Sequence, residues 1–114
     1  MIKAVFKVNE DSGEITLSVK GHAGAGGVGY DIICASATIL AYTLAQNVTT
    51  MNEVGRLKEE PKVKLKEGEI LVSCIPTAEA FEEVFHAYIV ILGGYMLLAK
   101  NYKQYVRCRP FKVG

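Results

Sequence analysis

The sequence predicts an α+β fold in two layers, in which two helices cover one face of a mostly antiparallel sheet of about five strands. Several short segments alternate apolar and polar residues, as half-buried strands do. Two longer segments carry apolar residues at every third or fourth position, as helices do. The elements follow in the order ββαββαβ, which suits a two-layer α+β arrangement. With 114 residues, half of them hydrophobic, we expect one domain over residues 1–114.

The first part of the chain predicts a β-hairpin followed by a loop. Apolar and polar residues alternate over 2–8 and again over 15–19, and the 9–13 stretch between them is rich in turn-forming residues. Residues 21–30 then contain five of the chain's eleven glycines. A glycine-rich connection of this length in a compact domain is more often a functional loop than a plain connector.

The middle of the chain predicts a helix and a second hairpin. Apolar residues recur at helical spacing from Asp31 and fade near Asn52. Alternating residues at 63–65 and the apolar run at 70–75 then predict two strands around a turn at 66–69.

The last part of the chain predicts a second helix and a fifth strand. Pro76 and Thr77 indicate the start of the helix, with Thr77 as its N-cap. This helix is apolar nearly all round over 89–98, so we expect it to lie deep in the core or to build a dimer interface. Residues 102–111 predict the final strand.

The composition excludes several classes of protein. Thirteen Lys and Arg residues against twelve Asp and Glu residues leave a net charge of +1, which provides no overall attraction to nucleic acid or to an anionic membrane. The three cysteines lack the close pairing of a disulfide framework or a zinc site, so we expect no metal and no cofactor. The longest apolar run, 87–99, has thirteen residues where a membrane helix needs about 20. We therefore expect a cytoplasmic protein with neither a signal segment nor a membrane contact.

The glycine segment over 24–29 matches the pattern G-x-G-x-x-G, which is typical of dinucleotide-binding loops. Its context disfavours that interpretation. The preceding strand is the second arm of a hairpin rather than the first strand of a βαβ unit, and the next strand, near Val63, begins too far away for the expected acidic residue. A nucleotide-binding domain is therefore kept only as a minor alternative.

Three chemically useful side chains, those of His22, Asp31 and Cys34, bracket the glycine segment. A thiol in the first turn of a helix faces the positive end of the helix dipole, which favours the nucleophilic thiolate. An adjacent imidazole can accept the thiol proton, and amides at the helix start can bind an oxyanion. Asp31 either caps the helix or orients His22. An inert, buried Cys34 is the alternative, since that is the commoner state of a free cysteine.

The residues around this segment resemble the signature of the bacterial ribosomal-processing cysteine proteases. Gly21-His22-Ala23, five residues, and Gly29-Tyr30-Asp31-Ile32-Ile33-Cys34-Ala35 fit the pattern G-H-A-x5-G-x-D-I-[VI]-C-[AG] without a gap. The length of the chain and its order of elements also match that family.

The resemblance implies a cytoplasmic, homodimeric endopeptidase that removes a short N-terminal extension, mainly apolar and cut after an aromatic residue, from a protein of the large ribosomal subunit. It implies a catalytic dyad of His22 and Cys34, with Asp31 as a further candidate. Thr38 stands where the family often has serine. We expect an extended peptide to lie under the glycine segment, in contact with Thr38 and with a set of small residues: Gly21, Ala23, Gly24, Gly26, Gly27 and Gly29.

Other candidate residues are interpreted as structural. Cys74, Cys108 and His86 fall within predicted strands or a helix and have no partner at a chemically useful spacing. The C-terminal segment is locally basic and predicts either a charged edge strand, which we favour, or a contact with RNA. A non-catalytic RNA-binding module that uses this segment is the alternative function. The basic residues of the segment are Lys100, Lys103, Arg107, Arg109 and Lys112.

Overall fold

The computed structural model describes residues 1–22 and 30–112, without the side chains of Tyr30 and Asp31. Two helices and five strands form in the predicted order. The strands are β1 (Ile2–Val8), β2 (Ile15–Lys20), β3 (Lys62–Lys66), β4 (Glu69–Cys74) and β5 (Val106–Arg109), and the helices are α1 (Tyr30–Glu53) and α2 (Phe81–Asn101).

The strands form one sheet in the order β3-β4-β2-β1-β5. Three of the four strand pairs are antiparallel, and β5 runs parallel to β1. The parallel pair follows from the long α2 connection, because a strand that returns through a helix can lie alongside β1 in the same direction. The predicted α+β class and its mostly antiparallel sheet are thereby confirmed.

The core lies between one face of the sheet and the two helices. Strand residues of the inner face alternate with exposed residues, as the period of two requires. The ring of Phe6 meets the ring of Tyr95 edge to face at 5.9 Å, which joins β1 to α2. The largest fully buried side chains are Tyr88, Tyr95, Phe6, Ile15, Leu17, Leu44, Val48, Val72, Val84 and Val106.

The second helix begins later than predicted. α2 starts at Phe81, and Thr77 stabilises the turn before it, where the Ala80 amide donates to Thr77 Oγ1 at 3.3 Å. Thr77 is therefore not the N-cap of α2, and that prediction was wrong. Pro76 forms an isolated bridge with Leu57, which extends the chain at the point where a helical start was expected.

The last strand is shorter than predicted. β5 covers only Val106–Arg109, because the chain first turns at the end of α2. The amides of Tyr105 and Val106 both donate to the carbonyl of Tyr102, at 2.8 and 2.9 Å. Lys103 and Tyr105 therefore lie in a turn and not on the strand.

We expect Tyr88→Phe to lower the free energy of unfolding by about 1–2 kcal/mol, because it removes a buried hydrogen bond. The Tyr88 hydroxyl donates to the Val72 carbonyl at 3.1 Å and ties α2 to β4. Urea denaturation measures the change. Tyr105→Phe is the matched control, since Tyr105 is 41% exposed, and it should change the stability by less than about 0.5 kcal/mol. Equal stabilities for the two variants would contradict the assigned role of the Tyr88 hydroxyl.

Candidate active site

A cleft of about 640 Å³ lies where the end of β2 meets α1 and the turn between β3 and β4. Its walls are largely apolar and its rim is charged, since Glu67 lies in that turn and Lys66 and Glu69 flank it. The residues that line it are Ile2, Val19, Gly21, His22, Cys34, Ala35, Ala37, Thr38, Ile39, Tyr42, Lys66, Glu67, Gly68, Glu69 and Ile70.

Backbone contacts on two sides position His22. It comes two residues after the end of β2, and the N-terminal ammonium of Met1 donates to its carbonyl. Gly21 just before it has φ +97°, and its amide donates to the Gly68 carbonyl at 3.0 Å. A side chain on Gly21 would collide with the Met1 carbonyl, so only glycine fits here. The backbone conformation that only Gly21 can adopt therefore sets the direction of His22.

The His22 imidazole packs directly against the backbone of Gly68. A Cβ atom added to Gly68 would lie 2.8 Å from His22 Nε2, which is closer than real Cβ contacts come. Gly68 also has φ +77°, a left-handed conformation that side chains disfavour. The turn between β3 and β4 thus provides the surface on which the ring rests.

Cys34 and Thr38 face the cleft from α1, one helical turn apart. Both are partly buried. The helix begins at Tyr30, so Cys34 lies at the start of the second turn and not in the first turn as predicted. The effect of the helix dipole is weaker there, because it falls off within the first turn. Ala37 lies between Cys34 and Thr38 in the sequence, and its carbonyl accepts a hydrogen bond from the buried Tyr95 hydroxyl at 2.5 Å. This bond anchors the Cys34–Thr38 stretch of α1 to α2.

Within its described part, the structure brings together four of the predicted site residues. Gly21, His22, Cys34 and Thr38 line the same cleft. The Asp31 backbone belongs to α1, but its side chain lies outside the described part of the structure. The remaining predicted contact residues also lie outside the described residues, and they are Ala23, Gly24, Gly26, Gly27 and Gly29.

Sequence reasoning missed one wall of the cleft. The 66–69 segment was interpreted only as a hairpin turn, although it carries Gly68 and the charged rim. Ile39 and Tyr42 were also missed, although they extend the row of α1 positions that begins with Cys34 and Thr38. The helical spacing of this row was the available signal.

The other two cysteines and the second histidine lie away from the cleft. Burial raises the pKa of the Cys108 thiol to about 11, and burial also raises that of the Cys74 thiol. A thiol with a raised pKa is a poor nucleophile near neutral pH. His86 is exposed on α2. Among the residues that the structure describes, no three His, Cys, Asp or Glu side chains converge as a metal site.

A thiol and an imidazole on facing walls of one largely apolar cleft are the parts that a cysteine peptidase needs. The thiol supplies the nucleophile and the imidazole moves its proton. Within the described residues, no hydrogen bond joins the two side chains, a separation that apo structures of such enzymes often show. The fold and the cleft therefore fit the class of cysteine proteases.

Comparison with known proteins gives the family. Residues 1–107 match the family described as "Cysteine protease Prp", and the chain belongs to that family. A search of curated protein sequences gave no match.

Solved structures show the same fold. The ribosomal processing protease Prp from S. aureus, in a complex with a covalently linked product peptide, is 21% identical, with a TM-score of 0.69 over 98% of this chain and 100% of that one. The complex of the S. aureus protease with a substrate peptide is 20% identical, with a TM-score of 0.70 and the same coverage. SMU.848 from Streptococcus mutans is 23% identical, with a TM-score of 0.68 over 98% of this chain and 96% of that one.

We expect Gly68→Ala to lower peptide cleavage at least tenfold, because the new methyl group displaces the His22 ring from its place beside the cleft. Gly55→Ala is the matched control. Gly55 has φ +76° against +77° for Gly68, and nothing lies within 4 Å of its added Cβ. Both variants should lose about 1–2 kcal/mol of stability through left-handed strain, and only Gly68→Ala should lose activity. Similar activities for the two stable variants would show that the contact does not position His22.

Proposed function

We propose that this protein is an endopeptidase that removes a short N-terminal extension from a protein of the large ribosomal subunit. In this proposal Cys34 is the nucleophile and His22 is the general base and acid. The observation that carries it is the placement of both side chains on one cleft. Two structures of the S. aureus ribosomal processing protease, with a substrate and with a product peptide, support the kind of substrate.

The reaction follows from the two side chains. His22 accepts the Cys34 thiol proton, and the sulfur attacks the scissile carbonyl to form a tetrahedral oxyanion. The oxyanion collapses to a thioester as the leaving amine takes the proton from His22. A water molecule then gives a proton to His22 and attacks the thioester, and the sulfur leaves as the thiol once the proton returns. Backbone amides at the start of α1 are the proposed donors to the oxyanion.

The shape of the cleft suits an extended, mainly apolar peptide. Val19, Ile39 and Ile70 supply aliphatic walls, and the Tyr42 ring, 44% exposed, offers a flat surface for an aromatic residue next to the cut bond. The hydroxyl of Thr38 stands one turn beyond Cys34 and can bond a backbone group of the substrate. We propose that Asp31 orients His22, and that the enzyme works in the cytoplasm, where thiols stay reduced.

We expect Cys34→Ala and His22→Ala each to abolish removal of the extension from a precursor of the ribosomal protein, because each removes one partner of the dyad. Electrophoresis and mass spectrometry of the precursor measure the cleavage. Cys108→Ala is the matched control. It removes a thiol that also packs against the core but does not line the cleft, and it should cleave at the rate of the unmodified protein. Full cleavage by purified Cys34→Ala would falsify the assignment of the nucleophile.

We also propose that two copies of the chain associate through the outer surface of the two helices. This surface, here called the outer helical face, carries large apolar side chains that water would otherwise contact. In the most apolar 18 residues of each helix, only a third of the residues are buried. Apart from Ile39 and Tyr42, which line the cleft, the exposed apolar residues are Ile32 of α1 and Ile89, Val90, Met96 and Leu97 of α2.

The apolar character of the two helices also raises the alternative of a membrane contact. By length and composition both helices are apolar enough to cross a membrane, although the longest uninterrupted apolar run is shorter. In this fold, however, each helix packs one side onto the sheet and buries core residues there. A second copy of the outer helical face would cover the remaining apolar surface without removing the helices from the sheet. We therefore propose a homodimer rather than a membrane contact.

We expect Leu97→Glu to convert a dimer into a monomer, because it places a charge in the centre of the apolar contact. Sedimentation velocity measures the mass. Val54→Glu is the matched control, because Val54 is 60% exposed and Leu97 is 61% exposed, but Val54 lies beyond the end of α1. It should remain a dimer. A monomeric unmodified protein that floats with lipid vesicles would instead assign the outer helical face to a membrane.

A further inference from the structure

The sheet face that points away from the helices carries most of the positive charge of the chain. On every strand the side chains that alternate with the core residues point to this open face. Eight of the thirteen Lys and Arg residues lie there, all of them exposed, and Glu69 is the only acidic residue at an outward strand position. We call this surface the basic sheet face; its cations are Lys3, Lys7, Lys20, Lys62, Lys64, Lys66, Arg107 and Arg109.

Strand pairing places seven of the eight cations in two flanks, and Lys20 lies between them on β2. On one side β3 contributes three lysines, which alternate with Val63 and Leu65. On the other side β1 and β5 run next to each other, with Lys3 opposite Arg107 and Val5 opposite Arg109. The strip between the flanks is formed by β2 and β4, whose outward residues are uncharged except for Lys20 and Glu69 at one end. Five strands at about 4.8 Å spacing make the face about 19 Å wide.

Few of these cations are neutralised within the protein. Lys64 bonds to Glu69 at 2.5 Å, and Lys62 lies 3.8 Å from Glu14. Within the described residues, the other six have no carboxylate within 4.0 Å. The hydrogen bond from Lys64, aided by the charges of Lys64, Lys20 and Lys66, lowers the pKa of Glu69, as expected on a surface of positive potential.

Like charges stand directly opposite one another at one end of the face. Lys3 is paired with Lys20 on one side and with Arg107 on the other. Such pairs are destabilising, and a bound polyanion would relieve their repulsion. Beside them a shallow depression of about 330 Å³ is lined by Lys3, Arg107 and Arg109. A phosphate group in this depression would meet three cations.

We propose that the basic sheet face binds the phosphate backbone of double-stranded RNA. A broad face with cations on both flanks suits a polyanion with many regularly spaced charges better than a single small anion. No aromatic side chain stands at an outward strand position, so bases have nothing to stack on, and contacts would go to phosphates with little sequence preference. The apolar surface that a membrane would need lies on the opposite side, on the outer helical face.

The basic sheet face adjoins the cleft. Lys66 lines the cleft, and Lys20 precedes His22 by two residues. An RNA held on this face would therefore lie beside the peptide-binding cleft. That RNA could deliver a peptide of an RNA-bound protein to the enzyme, a consequence that rests on the proposed function. RNA binding itself does not depend on catalysis.

Fluorescence anisotropy with an RNA duplex of about 20 base pairs tests the proposal. We expect a Kd on the order of 1–100 µM at physiological salt, which weakens steeply as salt is added. Lys3→Gln/Arg107→Gln should weaken binding about 10–100-fold at about 0.1 M salt and lower the salt slope by about 2. Lys58→Gln/Lys100→Gln is the matched control, since it gives the same change of net charge, from +1 to −1, away from this face. It should bind much like the unmodified protein.

Two outcomes would overturn the proposal. One is equal binding by the two double variants, and the other is tight binding to vesicles with about 30% anionic lipid or to polyglutamate without binding to the duplex. Cleavage of a short peptide that carries no RNA should be the same in all three proteins. A protein that cleaves the peptide but does not bind the duplex would thus contradict RNA binding and leave the proposed function unaffected.

Lysine footprinting keeps the test independent of folding of the variants. The unmodified protein is acetylated with and without the duplex, and each lysine is read by mass spectrometry. Lys3 and Lys7 should be protected by the RNA, and Lys58 and Lys100 should not. Protection spread evenly over all four lysines would contradict binding at the basic sheet face.

Discussion

The fit of the His22 ring against the backbone of Gly68 is the contact on which the cleft depends. It requires a left-handed turn between β3 and β4, a hydrogen bond from the Gly21 amide to the Gly68 carbonyl, and the absence of a side chain at residue 68. The contact between Gly21 and Gly68 is possible because β4 pairs with β2, which brings the turn to the end of the strand that leads into His22. The geometry of the site therefore depends on the pairing of the strands. A change in the register of β4 would move Gly68 away from the His22 ring that it supports.

Helix α1, which forms the opposite wall of the cleft, contributes both to the hydrophobic core and to the cleft. One side of α1 packs into the core through Ala37, Ala41 and Leu44, and the adjoining row presents Cys34 and Thr38 to the cleft. The Tyr95 hydroxyl donates to the Ala37 carbonyl, between those two residues, so α2 holds this wall of the cleft in place. The outer sides of both helices remain apolar and exposed. The proposed dimer contact would thus be continuous with the helix that carries the proposed nucleophile, and it would stiffen the site.

Local sequence patterns were enough to predict most of the helices and strands. The predicted bounds were wrong where contacts between distant parts of the chain determine where an element begins. Alternation and helical spacing located β1, β2 and α1 closely, because each buries one face against the same core. Thr77 suggested a helix start, but the adjacent Pro76 pairs with Leu57 and extends the chain. The start of β5 was placed too early because the turn after α2 depends on backbone bonds to Tyr102. For the site, His22, Cys34 and Thr38 were predicted, whereas Gly68 was not, since nothing near it in the chain marks it as a neighbour of His22.

The sequence by itself determined which segments are strands and helices, the assignment to a cysteine protease family, and the pair of residues proposed for its chemistry. Periodicity and a compact motif carry that information locally. The sequence also predicted the two hairpins, but only the tertiary structure decided that β2 pairs with β4 and that β5 lies beside β1. That order seats His22 on Gly68, places β5 parallel to β1, and gathers lysines and arginines from four strands onto one open face. The net charge of +1 concealed this face, because charge balance is a sum over the chain whereas the surface potential depends on where the charges lie.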